Sequence, residues 1–514
     1  METITQSLGT FNRFLLHGIT GSGKTEVYLD VIAAVLQRQE QALVLLPEIG
    51  LTPQMLQRFA ERFSAPLLLF HSKLTEKQRL THWLCAQRGE AAIILGTRSA
   101  LFTPLSRPGV IIIDEEHDAS FKQQQGLRYH AQNIPIILGS ATASLESLAN
   151  VEHQRYHCLS LPQRAGTAHP PIIKRIDLRQ QKVDAGFSPL LLERMKNHLQ
   201  LNGQVLLFLN RRGFAPLTRC LSCGWTAQCP RCEQALIAHK KPLHWQCHYC
   251  GFRTPPLQNC PECVTSPLTL LGQGTQRLEN TLQKYFPDID VVRLDKDSTQ
   301  RKGCLEQLLS KIQQGEKQIL IGTQMLAKGH HFPNVTLVGI LETDTGLFSA
   351  DFRALERTGQ LITQVAGRAG RADKLGEVLI QTYHPEHPLF TQLITEGYLA
   401  FSRLLLEERR AAQLPPYAHL ALIQAEALKA EEPLDFLSTI KTLAQTLGNA
   451  VTLWGPIPCL QPRRAGYYRA QLLLQATHRA ALHHVLAPLS KQIPKLSQTR
   501  RVRWCIDVDP LEVI

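Results

Sequence analysis

Gly18-Ile19-Thr20-Gly21-Ser22-Gly23-Lys24-Thr25 has the form G-x-x-x-x-G-K-[ST]. In such a stretch the glycines let backbone N–H groups wrap a phosphate chain, while Lys24 reaches the β- and γ-phosphates and the Thr25 hydroxyl ligates Mg²⁺. Gly18, Thr20, Gly21, Ser22, Gly23, Lys24 and Thr25 are therefore the candidate nucleotide contacts. The apolar run Phe14-Leu15-Leu16 ahead of them predicts a buried strand, and Glu26 to Gln37 behind them carries apolar residues at helical spacing. Strand, glycine loop and helix follow in the order a phosphate grip needs.

Around this grip the chain is long, with 514 residues, enough for about three or four domains. Its 44% hydrophobic and 19% charged residues exclude a disordered chain. Lys and Arg outnumber Asp and Glu by 56 to 43, a balance that favours a polyanionic partner such as nucleic acid. No apolar run approaches the ~20 residues of a membrane helix. The opening METITQSLGT lacks the basic and apolar regions of a secretory signal, so a cytoplasmic location with no membrane partner is expected.

After the grip, apolar runs at 42–46, 67–70, 92–95, 110–113 and 134–138 alternate with amphipathic stretches, predicting parallel strands covered by helices on both faces. This is the outline of a RecA-like lobe, over residues 1 to 160. The fourth run ends in Asp114-Glu115-Glu116-His117, which places carboxylates at the carboxyl end of a strand, where open α/β sheets bind ligands. Asp114 is expected to hold Mg²⁺ and Glu115 to orient the attacking water. Leu46-Pro47-Glu48 with Leu51-Thr52-Pro53, Gly96-Thr97-Arg98-Ser99 and Gly139-Ser140-Ala141-Thr142 suit contact with a nucleic-acid backbone.

Thirteen cysteines include four C-x-x-C pairs, Cys220/Cys223, Cys229/Cys232, Cys247/Cys250 and Cys260/Cys263. Eight thiolates make two closed tetrahedral Zn²⁺ sites with no open position, which is the pattern of structural zinc. Spacing alone does not decide which pairs share an ion. Trp225, Trp245, Tyr249 and Phe252 with Arg231, Lys240, Lys241 and Arg253 could face a partner, although some of these aromatics must pack around the metals.

Residues 204–210 and 318–323 predict strands of a second parallel sheet, a second lobe over 161–413 with the cysteine segment 216–268 inserted in it. Asn210 to Phe214, Gly272 to Thr275 and Gly322 to Gly329 lie around these strands. Gln364-Val-Ala-Gly367-Arg368-Ala-Gly370-Arg371 sets two arginines three residues apart, and a permanent, bidentate cation suits a transferring phosphoryl group. Residues 414–514 predict a small α+β domain, with Arg463, Arg464, Arg469, Arg501, Arg503, Trp454, Tyr467, Tyr468 and Trp504 as candidate nucleic-acid contacts.

GITGSGKTEVY, LLPEIGLTPQM, LGTRSALF, DEEHDASFKQQQGLRYHA and LGSATASLES resemble successive motifs of superfamily 2 helicases, and in detail those of the PriA family of bacterial replication-restart helicases. The resemblance implies an ATP-dependent 3′→5′ DNA helicase that helps assemble the primosome at stalled or repaired forks. Its implied partners are single-stranded and forked DNA, primosome proteins and single-strand-binding protein. It makes Gln364, Arg368 and Arg371 a motif facing the nucleotide between two lobes, and Phe121, Lys122, Arg128 and Tyr129 a loop coupling DNA to hydrolysis. For zinc it implies a nested arrangement: Cys220, Cys223, Cys260 and Cys263 on one ion, and Cys229, Cys232, Cys247 and Cys250 on the other.

Three departures accompany the likeness. The usual N-terminal DNA-binding and winged-helix domains have no counterpart ahead of Gly18. The stretch from His117 to Asn133 is short, and Gln276, Glu342 and Gly359 replace the family's usual residues. A protein that holds DNA or primosome partners without unwinding is therefore the alternative expectation. A restriction-type translocase would share the nucleotide motifs but would leave the four cysteine pairs without a purpose.

Overall fold

The computed structural model describes residues 1–512 except 48–52, 72–73, 123–134, 165–169, 180, 182, 210–216, 221–224, 226, 232–235, 241–242, 248–250, 258, 264–267, 272–274, 295–307, 309, 313, 317, 324–331, 333, 350 and 371–374. In chain order, β1 (Arg13–Gly18), β2 (Gln41–Leu45), β3 (Leu67–Phe70), β4 (Ile93–Gly96), β5 (Pro108–Asp114), β6 (Ile136–Ser140) and β7 (His157–Leu161) build the first sheet. Its order is β3-β4-β2-β5-β6-β1-β7, and each neighbouring pair is parallel.

Burial on both faces explains why these strands read as unbroken apolar runs. Ala42 and Val44 join Phe14, Leu16 and Ile32 on one side, while Leu43 and Leu45 join Phe70, Ile94 and Ile111 on the other. Edge strand β7 has no such run, because His157, Cys158 and Ser160 are exposed.

Register then places the motifs. Asp114 of β5 lies opposite Gly139 of β6, and Ser140 lies opposite His17 of β1. Three adjacent strands thus end level, and the glycine loop, the DEEH turn and the GSAT turn leave the same edge of the sheet.

In the second sheet are β8 (Ile172–Asp177) and β9 (Gln204–Leu209). The chain then leaves it for β10 (Leu217–Cys220), β11 (Ile237–Lys240), β12 (Leu243–Gln246), β13 (Arg253–Thr254) and β14 (Leu268–Leu271), an antiparallel sheet ordered β13-β12-β11-β10-β14. It returns with β15 (Asp290–Leu294), β16 (Gln318–Gly322), β17 (Val335–Leu341) and β18 (Glu377–Thr382). These complete the parallel order β15-β16-β9-β17-β18-β8. The cysteine segment is therefore an insertion within the second lobe.

Last come β19 (His419–Ala427), β20 (Thr452–Arg464), β21 (Tyr467–Ala476) and β22 (Arg503–Val508), ordered β20-β21-β19-β22 and antiparallel. Phe436, Leu437 and Ile440 of the helix Glu431–Leu447, with Leu482 and Leu489 of the helix Arg479–Gln492, cover Ile423, Ala425, Leu472 and Leu474. This is the expected α+β arrangement. Its basic and aromatic residues divide: Trp504 packs against that core, Arg503 lies 4.4 Å from the Tyr467 ring centre, Arg463 lies 5.2 Å from that of Tyr468, and Trp454 is exposed.

By compactness the chain forms two units. Met1–Asn210, Tyr285–Phe348 and Leu355–Leu405 hold the first two sheets, and Arg211–Lys284, Ser349–Ala354 and Leu406–Ile514 hold the other two. Within the second unit the turn between β20 and β21 meets the cysteine segment. There Gly466 N–H donates to the Arg231 carbonyl at 2.8 Å, and the Arg231 guanidinium donates to the Ala465 carbonyl at 3.3 Å. Among the described residues no helix is long and apolar enough to cross a membrane.

Candidate functional site

The glycine loop owes its shape to backbone conformation. Gly21 and Gly23 have φ of +82° and +86°, a region that side chains disfavour, and a Cβ on Gly18 would come 2.4 Å from Ser22 Oγ. Helix Lys24–Gln37 starts immediately after Gly23, so its first N–H groups and the positive end of its dipole face the loop. Lys24 Nζ donates to the Gly18 carbonyl at 2.7 Å, which holds the ammonium over the same loop.

Asp114, at the end of β5, accepts a hydrogen bond from the Tyr28 hydroxyl at 2.8 Å. Burial pushes its carboxyl above the usual range and neighbouring Glu115 adds to this, while Lys24 and the Tyr28 hydrogen bond oppose it. Glu115 itself turns into the left-handed region with φ of 51°. His117 Nδ1 donates to Ser140 Oγ at 2.7 Å, which leaves Nε2 to accept from Gln364 Nε2 at 2.6 Å. Gln364 belongs to the helix Ala354–Ala366 of the second lobe, and its amide also lies 3.4 Å from Thr142 Oγ1 and 3.5 Å from Glu115 Oε2.

The two lobes also meet elsewhere along that helix and at the start of the helix Tyr398–Ala411. Glu356 accepts from Leu145 N–H at 3.1 Å, Gln360 donates to the Thr142 carbonyl at 3.4 Å, and Tyr398 donates to the Ala143 carbonyl at 2.9 Å. Glu356, Gln360 and Gln364 are spaced i, i+4, i+8, one face of the helix, and all three are buried. Glu116 closes the other side of this turn, accepting from Ser144 N–H at 2.7 Å and from the hydroxyls of Ser144 and Ser147. Burial pushes its carboxyl up to about 7 against those hydrogen bonds. Gly367 touches the glycine loop directly, since a Cβ there would lie 2.6 Å from Thr20 Oγ1. Gly359 has a steric reason too, because a Cβ would meet the Phe401 ring at 2.3 Å.

Of the expected nucleotide residues, Gln364 and Arg368 thus reach the side of the first lobe. Arg368 is buried; desolvation lowers its guanidinium and the Glu115 charge opposes that shift. Arg371 lies outside the described residues, as do Glu48, Leu51 and Thr52, Arg128 and Tyr129, the stretch 210–214, residues 272–274 and 324–329.

Two motif residues have partners inside the protein. Arg98 donates to the carbonyls of Ser120 and Lys122 at 3.1 and 2.6 Å, and Phe121 packs against the first-lobe core. Tyr28, Glu356, Gln360 and Tyr398 were not expected at the site. The signal that could have found the middle two is a line of polar residues at helical spacing ahead of Gln364.

In the cysteine segment Cys229 and Cys247 are buried in one cluster with Ala227, Leu236 and Trp245, flanked by Trp225 and Phe252. Trp245 is therefore one of the aromatics that pack around the cysteines. Cys263 N–H donates to Cys260 Sγ at 3.5 Å, and Gly251, with φ of +73°, closes the turn after Cys247. Cys229, Cys247 and Cys260, buried and unbridged, the last of them receiving an N–H, are a donor set that suits zinc thiolates. The side chain of Cys220 and all of Cys223, Cys232 and Cys250 lie outside the described residues.

Family models match along the chain: a DEAD/DEAH box helicase over residues 1–151, the PriA DNA helicase Cys-rich region domain over 229–255, a helicase conserved C-terminal domain over 268–373 and the primosomal protein N C-terminal domain over 410–511. The replication restart protein PriA of Haemophilus influenzae is 49% identical over 98% of this chain and 70% of its own length. Those of Bacillus subtilis and Synechocystis are 39% and 40% identical over 97% and 98% of this chain. The chain spans 64% and 63% of the lengths of these last two. Motor, cysteine-rich and C-terminal segments match in one order, and the chain belongs to the PriA replication restart family of ATP-dependent DNA helicases.

Proposed function

We propose that this chain hydrolyses ATP between its two parallel-sheet lobes, 1–160 and 161–413, and couples hydrolysis to 3′→5′ movement along single-stranded DNA in replication restart. The observation that carries the reading is the bond from Gln364 to His117, with Gly367 against Thr20, which ties the arginine motif of one lobe to the glycine loop and DEEH turn of the other. Lys24 and the loop N–H groups hold the phosphates, Thr25 and Asp114 hold Mg²⁺, Glu115 orients water, and Arg368 and Arg371 stabilise the γ-phosphoryl group. Bound there, Mg²⁺ supplies neutralisation of charge on the phosphates. Lobe closure on the nucleotide and reopening after hydrolysis give the movement.

The segment 216–268 is read as holding two structural zinc ions, and 414–514 as a further DNA-contacting domain. Forked DNA, primosome proteins and single-strand-binding protein in the cytoplasm are the proposed partners. The test is ATP hydrolysis with and without single-stranded DNA, together with strand separation on a 3′-tailed duplex. Stimulation by the strand and unwinding are expected. DNA binding without hydrolysis or unwinding would instead make the chain a binding module.

Metal content is a separate expectation. Purified protein should carry about two zinc ions per chain by elemental analysis, as eight thiolates in closed four-ligand sites require. Chelation should lower the melting temperature, since structural zinc contributes directly to folding. A zinc-free protein that melts unchanged would remove the metal assignment.

A further inference from the structure

Three motifs converge on one phenol. Tyr28 lies on the helix that begins at Lys24, is fully buried, and donates its hydroxyl to Asp114 Oδ1 at 2.8 Å. Opposite Asp114 in the sheet is Gly139, and a Cβ there would fall 1.6 Å from the Tyr28 oxygen. Glycine at 139 therefore leaves the space the hydroxyl occupies.

Packing does not ask for this oxygen. The ring belongs to the first-lobe core that also holds Phe14, Leu29 and Ile32, where phenylalanine would fill the same volume without burying a polar atom. What the hydroxyl adds is one directional bond to one carboxylate oxygen. With only the backbone hydrogen bond from Glu115 beside it, a carboxylate at a strand end keeps much of the freedom of its last torsion, which is broad and weakly restrained. A hydrogen bond from behind fixes that torsion, in the way outer-shell donors orient metal-binding carboxylates.

We infer that Tyr28 is a positioning residue, whose hydroxyl sets the Asp114 carboxylate for the divalent cation that accompanies the nucleotide. The inference rests on the reading of Asp114 as a cation ligand. It makes helix Lys24–Gln37 serve both ends of the nucleotide's phosphate complex: the loop through its N-terminus, the cation through its second turn.

The experiment titrates a fluorescent ADP analogue into wild-type protein, Tyr28→Phe, Asp114→Asn and the double variant, each with Mg²⁺ and with EDTA. Wild type should bind more tightly with Mg²⁺. Tyr28→Phe should equal wild type in EDTA and lose roughly tenfold of the Mg²⁺-dependent gain, the scale of outer-shell substitutions. In the Asp114→Asn background it should cost nothing more, because the two groups act as one unit. A Tyr28→Phe protein that keeps the whole Mg²⁺ gain, or weakens equally in EDTA, would overturn the inference. Absence of any Mg²⁺ gain in wild type, or its survival in Asp114→Asn, would instead overturn the reading of Asp114.

Discussion

Lys24→Ala should lower DNA-stimulated ATP turnover by about 10²–10³-fold, the range measured when one preorganised donor to a developing anion is removed. The reason is local. Lys24 Nζ is held 2.7 Å from the Gly18 carbonyl, over a loop whose remaining phosphate donors are backbone N–H groups. Alanine keeps the helix start, since the left-handed conformations the turn requires belong to Gly21 and Gly23. Losing one partly buried hydrogen bond costs only about 1 kcal/mol of stability. The melting temperature should therefore move by a few degrees while turnover collapses. Steady-state kinetics beside thermal denaturation checks both parts. A variant that keeps a tenth of wild-type turnover would mean that another cation carries the phosphate charge.

Legibility of the fold and site in the sequence followed from how local each feature is. The first-sheet runs could be read because their strands are buried on both faces and so lose the polar alternation of a half-exposed strand. Strand β7 could not, because its edge position leaves His157, Cys158 and Ser160 exposed. The glycine loop and DEEH turn were visible because each keeps its chemistry within a few consecutive residues.

Tyr28 was hidden for the opposite reason: an aromatic on the apolar face of an amphipathic helix reads as core, and its hydroxyl finds Asp114 only after β5 is laid two strands from β1. Arg98 and Phe121 show the same limit from the other side. A cation and a ring in a motif suggest nucleic acid, yet the fold uses Arg98 to hold the Ser120 and Lys122 carbonyls and Phe121 to pack. Glu356 and Gln360 look like a solvated face until the first lobe covers them.

Glu356 carries the other large effect. Substitution to alanine should lower DNA-stimulated turnover by about 5–150-fold, the factor that corresponds to 1–3 kcal/mol of coupling. The residue is 4% exposed, and its carboxylate accepts from the N–H of Leu145, the first residue of the helix Leu145–Glu152. Glu116 of the first lobe caps Ser144 just before it, so one helix start is shared by a carboxylate from each lobe. Removing Glu356 leaves the buried Leu145 N–H without this acceptor, at a cost of about 1–3 kcal/mol. That cost falls on the joined arrangement of the lobes, since each lobe keeps its own sheet and core. Glu356→Gln retains an acceptor oxygen and should recover most of the turnover. Nucleotide affinity in EDTA should change little, because Glu356 faces the turn after GSAT instead of the glycine loop. That split separates it from Lys24→Ala. If Glu356→Ala turns over ATP like wild type with DNA present, the contact is packing alone. If the glutamine variant is as slow as the alanine one, charge at the helix start matters more than the hydrogen bond.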